Sequence, residues 1–174
     1  MIERPTPSEY APFYAGYIAA LPDGDVLQIL EQQVSELRQL AAGTPADRET
    51  FRYADGKWSV REVVGHMIDA ERIFAYRALR FSRGDEAPVP GFDENSYVAA
   101  STFDRRPLSS LVDELALVRQ ANLALFGGLA PADWTRLGTA NGYAVSVRAL
   151  AFIMAGHVRH HLNILRDRYA VPAA

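Results

Sequence analysis

The stretch "SVRALAFIMAGHVRHHLNILRDRY", residues 146–169, decides the fold. Leu150, Met154, His157, His161 and Leu165 recur at steps of three and four residues. Residues so spaced share one face of a helix, so a helix is predicted from near Ser146 to about Tyr169. Its apolar stripe carries two imidazoles inward with Leu150, Met154 and Leu165. The chain has only four histidines. Three of them, His157, His160 and His161, lie in this helix, and the fourth, His66, is about ninety residues upstream.

Working outward, three more segments carry helical periodicity. "KWSVREVVGHMIDAERIFAYRALRFSRG" predicts a helix over 59–83. Ser59 and Glu62 form a capping box, Trp58 and Val63 are spaced as a hydrophobic staple, and Gly84 is placed to stop the helix. "DVLQILEQQVSELRQLAAG" predicts a helix over 25–42 with Val26, Leu30, Val34, Leu37 and Ala41 inward, ended by Gly43 and Pro45. "PLSSLVDELALVRQANLALFGG" predicts a helix over 108–126 with Leu111, Leu115, Val118 and Leu125 inward. The N-terminal "SEYAPFYAGYIAALP" reads as one or two short helices with packing aromatics, and "GTANGYAVS" reads as a small turn or hairpin around Asn141-Gly142. Four long helices in one domain spanning 1–174 predict an all-α four-helix bundle. The connection over residues 85–106 is longer than an antiparallel turn needs, so it is free to cover one end of the bundle and line a site.

The composition excludes several functions. There is no cysteine, which removes disulfides, thiolate ligands and a cysteine nucleophile and fits a cytoplasmic location. The net charge is −3 and the positive charges are scattered, so no nucleic-acid face is expected. No apolar run is long enough for a membrane, and no signal pattern opens the chain. Arg77, Arg80 and Arg83, near the end of the second long helix, read as a solvated face that complements the helix dipole.

His157 and His161, four apart, both point inward. A buried polar group without a partner costs roughly 1–3 kcal/mol. A metal ion resolves this by taking a lone pair from each, and His66, on the core edge of its helix beside Val63 and Met67, can supply a third. The alternative is that all three are core histidines bonded to carboxylates or backbone. A zincin-type protease is excluded, since Val158 stands where that motif needs glutamate. His160 is offset from the stripe and reads as a surface or supporting position. Asp69, three residues after His66, could orient that ring or pair with Arg72. His160 and Asp69 are the candidates for proton transfer, with Asp93 and Tyr97 of the long loop behind them.

These residues carry a resemblance. "KWSVREVVGHMIDAERIFAYRALRFSRGD", "GFDENSYV" and "GTANGYAVSVRALAFIMAGHVRHHLNILRDRY" resemble the DinB/YfiT-like superfamily of small metal-binding four-helix proteins. That resemblance implies an up-down-down-up bundle, frequent homodimers, and one divalent ion per chain, zinc or nickel, on His66, His157 and His161. It also implies a small-molecule substrate, with activity either as a transferase of a low-molecular-weight thiol or as a metal-dependent hydrolase. Three neutral histidines leave an ion open positions, the mark of a catalytic site. Such a position acidifies water to a pKa of about 7 and deprotonates a thiol. The leading expectation is a thiol transferase acting on an electrophilic small molecule. The alternatives are a hydrolase and a metal-binding or sensing bundle without turnover. A cavity beside the histidines favours an enzyme; histidines sealed under side chains with a carboxylate fourth ligand favour the last.

Overall fold

The computed structural model describes residues 1–170. Two 3-10 turns, Pro7–Glu9 and Pro12–Tyr14, lead into α1 (Ala15–Ala19). The long helices are α2 (Val26–Gly43), α3 (Val60–Ser82), α5 (Leu108–Gly127) and α6 (Val147–Tyr169), with a short α4 (Glu94–Ala100) between α3 and α5. A two-stranded antiparallel hairpin, β1 (Leu137–Ala140) and β2 (Tyr143–Ser146), precedes α6. Among the described residues no helix is long and apolar enough to cross a membrane.

The local chemistry that starts each element is visible. Asp25 caps α2 by accepting from the Leu27 amide at 2.9 Å. Ser59 and Glu62 cap α3 reciprocally, Ser59 Oγ accepting from the Glu62 amide at 3.0 Å and Glu62 Oε2 from the Ser59 amide at 2.9 Å. Gly84, with φ +76°, ends that helix where a side chain would be strained. Asn141 and Gly142 have φ of 50° and 80°, the positive pair that a tight hairpin turn requires. The α3–α5 connection is pinned to this hairpin, with the Val89 amide donating to Thr139 O and the Asn141 amide to Val89 O, both at 2.9 Å.

Two apolar clusters fill the core, one at each end of the bundle. The first gathers the start of α2, the second half of α3, Phe126 near the end of α5 and the start of α6. The second gathers the end of α2, the start of α3, the start of α5 and the end of α6. Hence α2 and α6 run one way, and α3 and α5 the other. Packing pairs α2 with α5 and α6, and α3 with α5 and α6. The order around the bundle is therefore α2, α5, α3, α6, with consecutive α2 and α3 on a diagonal. This is the up-down-down-up arrangement. Helix α6 buries 15 of its 23 residues, more than one face, because α1 also packs against it.

The inward stripe of α6 lies where the spacing predicts. On α2 and α5 it is rotated. Gln33 is fully buried while Val34 is only half-buried, and Arg119 and Asn122 are buried while Val118 and Leu125 are half-buried. These polar residues turn inward because they satisfy one another. Arg119 and Glu71, each side chain 1% exposed, form a bidentate pair at 2.6 and 2.8 Å. Arg119 also donates to Leu30 O at 2.7 Å and Gln33 Oε1 at 3.2 Å, and Asn122 donates to Glu71 at 3.0 Å. Gln33 in turn donates to Ala155 O at 2.8 Å. This network ties all four long helices together.

Candidate metal centre

Helix α3 brings His66, and α6 brings His157 and His161, to one point between the two apolar clusters. All three are buried. His157 Nε2 lies 2.9 Å from His66 Nε2 and 3.1 Å from His161 Nε2. One ring nitrogen has either one hydrogen or one lone pair, so His157 Nε2 cannot make both contacts as good hydrogen bonds. A cation at the centre would accept all three lone pairs at once. Nitrogens about 2.0–2.1 Å from a tetrahedral ion stand about 3.3 Å apart, close to the spacing seen. The potential ligand atoms all lie within 4.8 Å of one another, and among the described residues no carboxylate or other histidine joins them. The donor set therefore fits a divalent metal ion.

Glycine precedes two of these histidines, and each glycine admits a neighbour. A Cβ on Gly65 would sit 2.2 Å from the Phe103 ring, and one on Gly156 would sit 2.3 Å from the Tyr17 carbonyl oxygen. Aromatic rings complete the enclosure: Trp58 lies 4.8 Å from His66, and Tyr17 and Phe74 lie 5.7 and 5.8 Å from His157, centroid to centroid. Burial drives the His66 pKa down to about 4, against a smaller opposing pull from Glu94. Burial, reinforced by the neighbouring imidazoles, holds His157 and His161 well below the usual histidine range. All three are neutral at neutral pH, with lone pairs available.

A cavity of about 230 Å³ opens on His66 and His157, walled by Phe13, Tyr14, Tyr17, Phe74 and Phe92 and carrying Arg77, Glu94 and Asn141. A second cavity, also about 230 Å³, touches His161 from the side of Trp58, Tyr53 and Tyr169. The other expected site residues take other places. His160 is half-buried, its ring 5.0 Å from Tyr17 and 5.1 Å from His161. It stands behind the cluster. Asp69 lines neither cavity. Burial raises its pKa, and Arg72, its expected partner, binds Glu114 at 2.7 Å instead. Asp93 caps α4 through the amides of Asn95 and Ser96, and Tyr97 is exposed beside Phe92. Arg77 corrects the expectation of a solvated face: it is 3% exposed and lines the first cavity. Sequence reasoning missed Glu94 as well. It had no periodic signal, lying in the long connection, and only the folding of α4 across α3 brings it to the cavity.

An antiparallel helical bundle with a buried three-histidine cluster and an adjoining cavity defines a class of small metal-site proteins. The DinB superfamily profile matches residues 29–165, and the chain belongs to that family. It is 24% identical over 139 residues to a protein of Oceanobacillus iheyensis named as a candidate metal-dependent hydrolase, covering 78% of this chain and 79% of that one. Among solved structures it is similar to YfiT from Bacillus subtilis, described as a candidate metal-dependent hydrolase with an unusual four-helix bundle topology. That match has a TM-score of 0.72 at 20% identity and covers 94% of this chain and 95% of the other. A mycothiol-dependent maleylpyruvate isomerase matches with a TM-score of 0.67 at 13% identity, over 90% of this chain and 63% of the isomerase. A DinB-like protein of Bacillus subtilis matches with a TM-score of 0.59 at 18% identity, over 84% and 90%.

Proposed function

We propose that this protein is a metal-dependent enzyme that joins a low-molecular-weight thiol to an electrophilic small molecule. The observation that carries the reading is the convergence of three neutral imidazoles, with no carboxylate among them, at the wall of a cavity. His66, His157 and His161 would hold one divalent ion, zinc or nickel by family precedent. When bound, the ion supplies a Lewis-acidic centre that lowers the pKa of a thiol or water beside it. The chain has no cysteine, so the sulfur comes with a cosubstrate.

The residues around the cluster perform the remaining work. Tyr17, Phe74 and Trp58 exclude bulk water, which strengthens electrostatic interactions inside. The aromatic walls hold the electrophile against the face where the thiol arrives. The thiol gives up its proton to solvent at the mouth; as the S–C bond forms, the bond from that carbon to its leaving group breaks, and the leaving group departs with the electron pair through the same mouth. His160 positions Tyr17 and so the cavity wall.

A second reading is hydrolysis, favoured by the names of the O. iheyensis and YfiT relatives. It requires a group to take a proton from water. Glu94, the one carboxylate lining the first cavity, would be that base. The two readings separate in one experiment. Metal content is measured on the purified protein, and thiol conjugation and ester or amide hydrolysis are assayed with the metal and after chelation. Metal-dependent conjugation that survives Glu94→Gln supports the transferase. Hydrolysis abolished by Glu94→Gln, without conjugation, replaces it with the hydrolase.

A further inference from the structure

Two buried arginines in this chain have opposite surroundings. Arg119 is bound on every side, by a carboxylate, a carbonyl and an amide. Arg77 is nearly as buried, 3% against 1% exposed, yet it takes part in none of the ion pairs among the described residues. Its Nη2 donates to Pro90 O at 3.0 Å. Its Nε is buried without a partner. A guanidinium taken out of water without a counter-charge is expensive, and its planar fork of donors matches a carboxylate.

Position gives that mismatch a meaning. Arg77 follows His66 by three helical turns, so both lie on one face of α3, and both line the first cavity. Phe74 lies between Arg77 and the His157 end of the cavity, its ring 5.9 Å from Arg77 Cζ and 5.8 Å from the His157 ring. We propose that Arg77 is the carboxylate-recognition residue of this cavity, and that the small molecule bound there is a monocarboxylate with an aromatic or apolar body. The inference rests on reading the cavity as the enzyme's substrate site. The carboxylate docks on the guanidinium and the body lies along Phe74, with the reacting end at the histidines. Asn141, on the hairpin turn, adds an amide to the same wall. Glu94 is exposed and lines the cavity as well; its negative charge selects against a second carboxylate on the ligand.

The test uses phenylacetate and its uncharged isostere phenylacetamide, titrated by calorimetry or NMR into the protein as purified and after metal removal. Phenylacetate is expected to bind at least about tenfold tighter than the amide, the ratio that separates a charge-assisted from a neutral hydrogen bond. That preference should survive chelation. Arg77→Met should erase it while metal content stays at the wild-type level, Arg77→Lys should keep part of it, and phenylmalonate should bind more weakly than phenylacetate until Glu94→Gln relieves it. If the Arg77 variants do not fold, contacts between phenylacetate and the Phe74 and Phe92 ring protons in the wild type locate the site. Equal binding of acid and amide, no binding of either, a preference unchanged in Arg77→Met, or binding that vanishes with the metal would each overturn the proposal. A protein that binds no metal but keeps the Arg77-dependent preference would sink the enzymatic reading and leave the carboxylate site standing.

Discussion

The middle of the bundle contains two polar clusters, and they solve opposite problems. Glu71, Arg119, Asn122 and Gln33 form a matched set in which a buried charge meets its counter-charge and the flanking amides complete the donors. His66, His157 and His161 begin only five residues away on α3, and their nitrogens face one another with no acid among them. A cluster that is complete within the chain holds helices in register; a cluster that is complete only with something added is a site. Burial alone does not distinguish them, because both are removed from water.

The comparison can be broken at either side. The largest effect should come from replacing any one of His66, His157 and His161 with alanine. Metal content, measured by plasma mass spectrometry, should fall from one ion per chain to a trace, while His160→Ala should leave it unchanged. Retention of metal by the His66 variant would mean that α3 is not part of the site. Glu71→Ala or Arg119→Ala should do the reverse. Each strands a buried charge and should cost about 3–5 kcal/mol in urea unfolding, with metal stoichiometry preserved in the folded fraction.

Acid should also separate the two clusters. The folded pKa of His66 lies at about 4, below the ordinary histidine value of 6.5, so between those values the unfolded chain binds more protons than the folded one. Stability of the metal-stripped protein is therefore complete above about pH 6.5 and falls as the pH drops toward 4, by up to about 3 kcal/mol from this residue. His157 and His161 are shifted the same way and add to the fall. Urea unfolding across that range should show a smaller slope in His66→Ala. Gly156→Ala should have the smallest effect, about 1–3 kcal/mol, because the new methyl displaces the Tyr17 backbone. Metal binding should persist while the packing of α1 on α6 loosens, seen as faster amide exchange over Ala15–Ala19.

Much of this was legible in the sequence, and what was hidden has a physical pattern. The α6 stripe was readable because every inward position is apolar or histidine, and the caps at Ser59 and Asn141-Gly142 were readable because they depend on neighbours in the chain. The α2 and α5 stripes were misread at Val34 and Val118, since a polar Gln33 or Arg119 scores as outward until its partner is known. A signal existed: Arg119 follows Leu115 by four residues and Glu71 follows Met67 by four, each in register with a buried apolar residue. Pairing them required knowing that α3 and α5 are neighbours. Arg77 and Glu94 depend on where the long connection crosses, which periodicity does not encode.

The diagonal placement of α2 and α3 also bears on how the chain folds. In a simple up-and-down bundle, each helix can zip onto the next through short-range contacts, and such proteins fold quickly. Here α2 packs on α5 and α6, and the imidazoles that meet are 91 residues apart in sequence. Long loops must close before those contacts form, at an entropic cost that local helix formation does not offset. No helical hairpin cut from this chain contains the whole histidine cluster. Metal acquisition would therefore require α3 and α6 to be docked across that long separation, and its rate would measure closure of the chain between them.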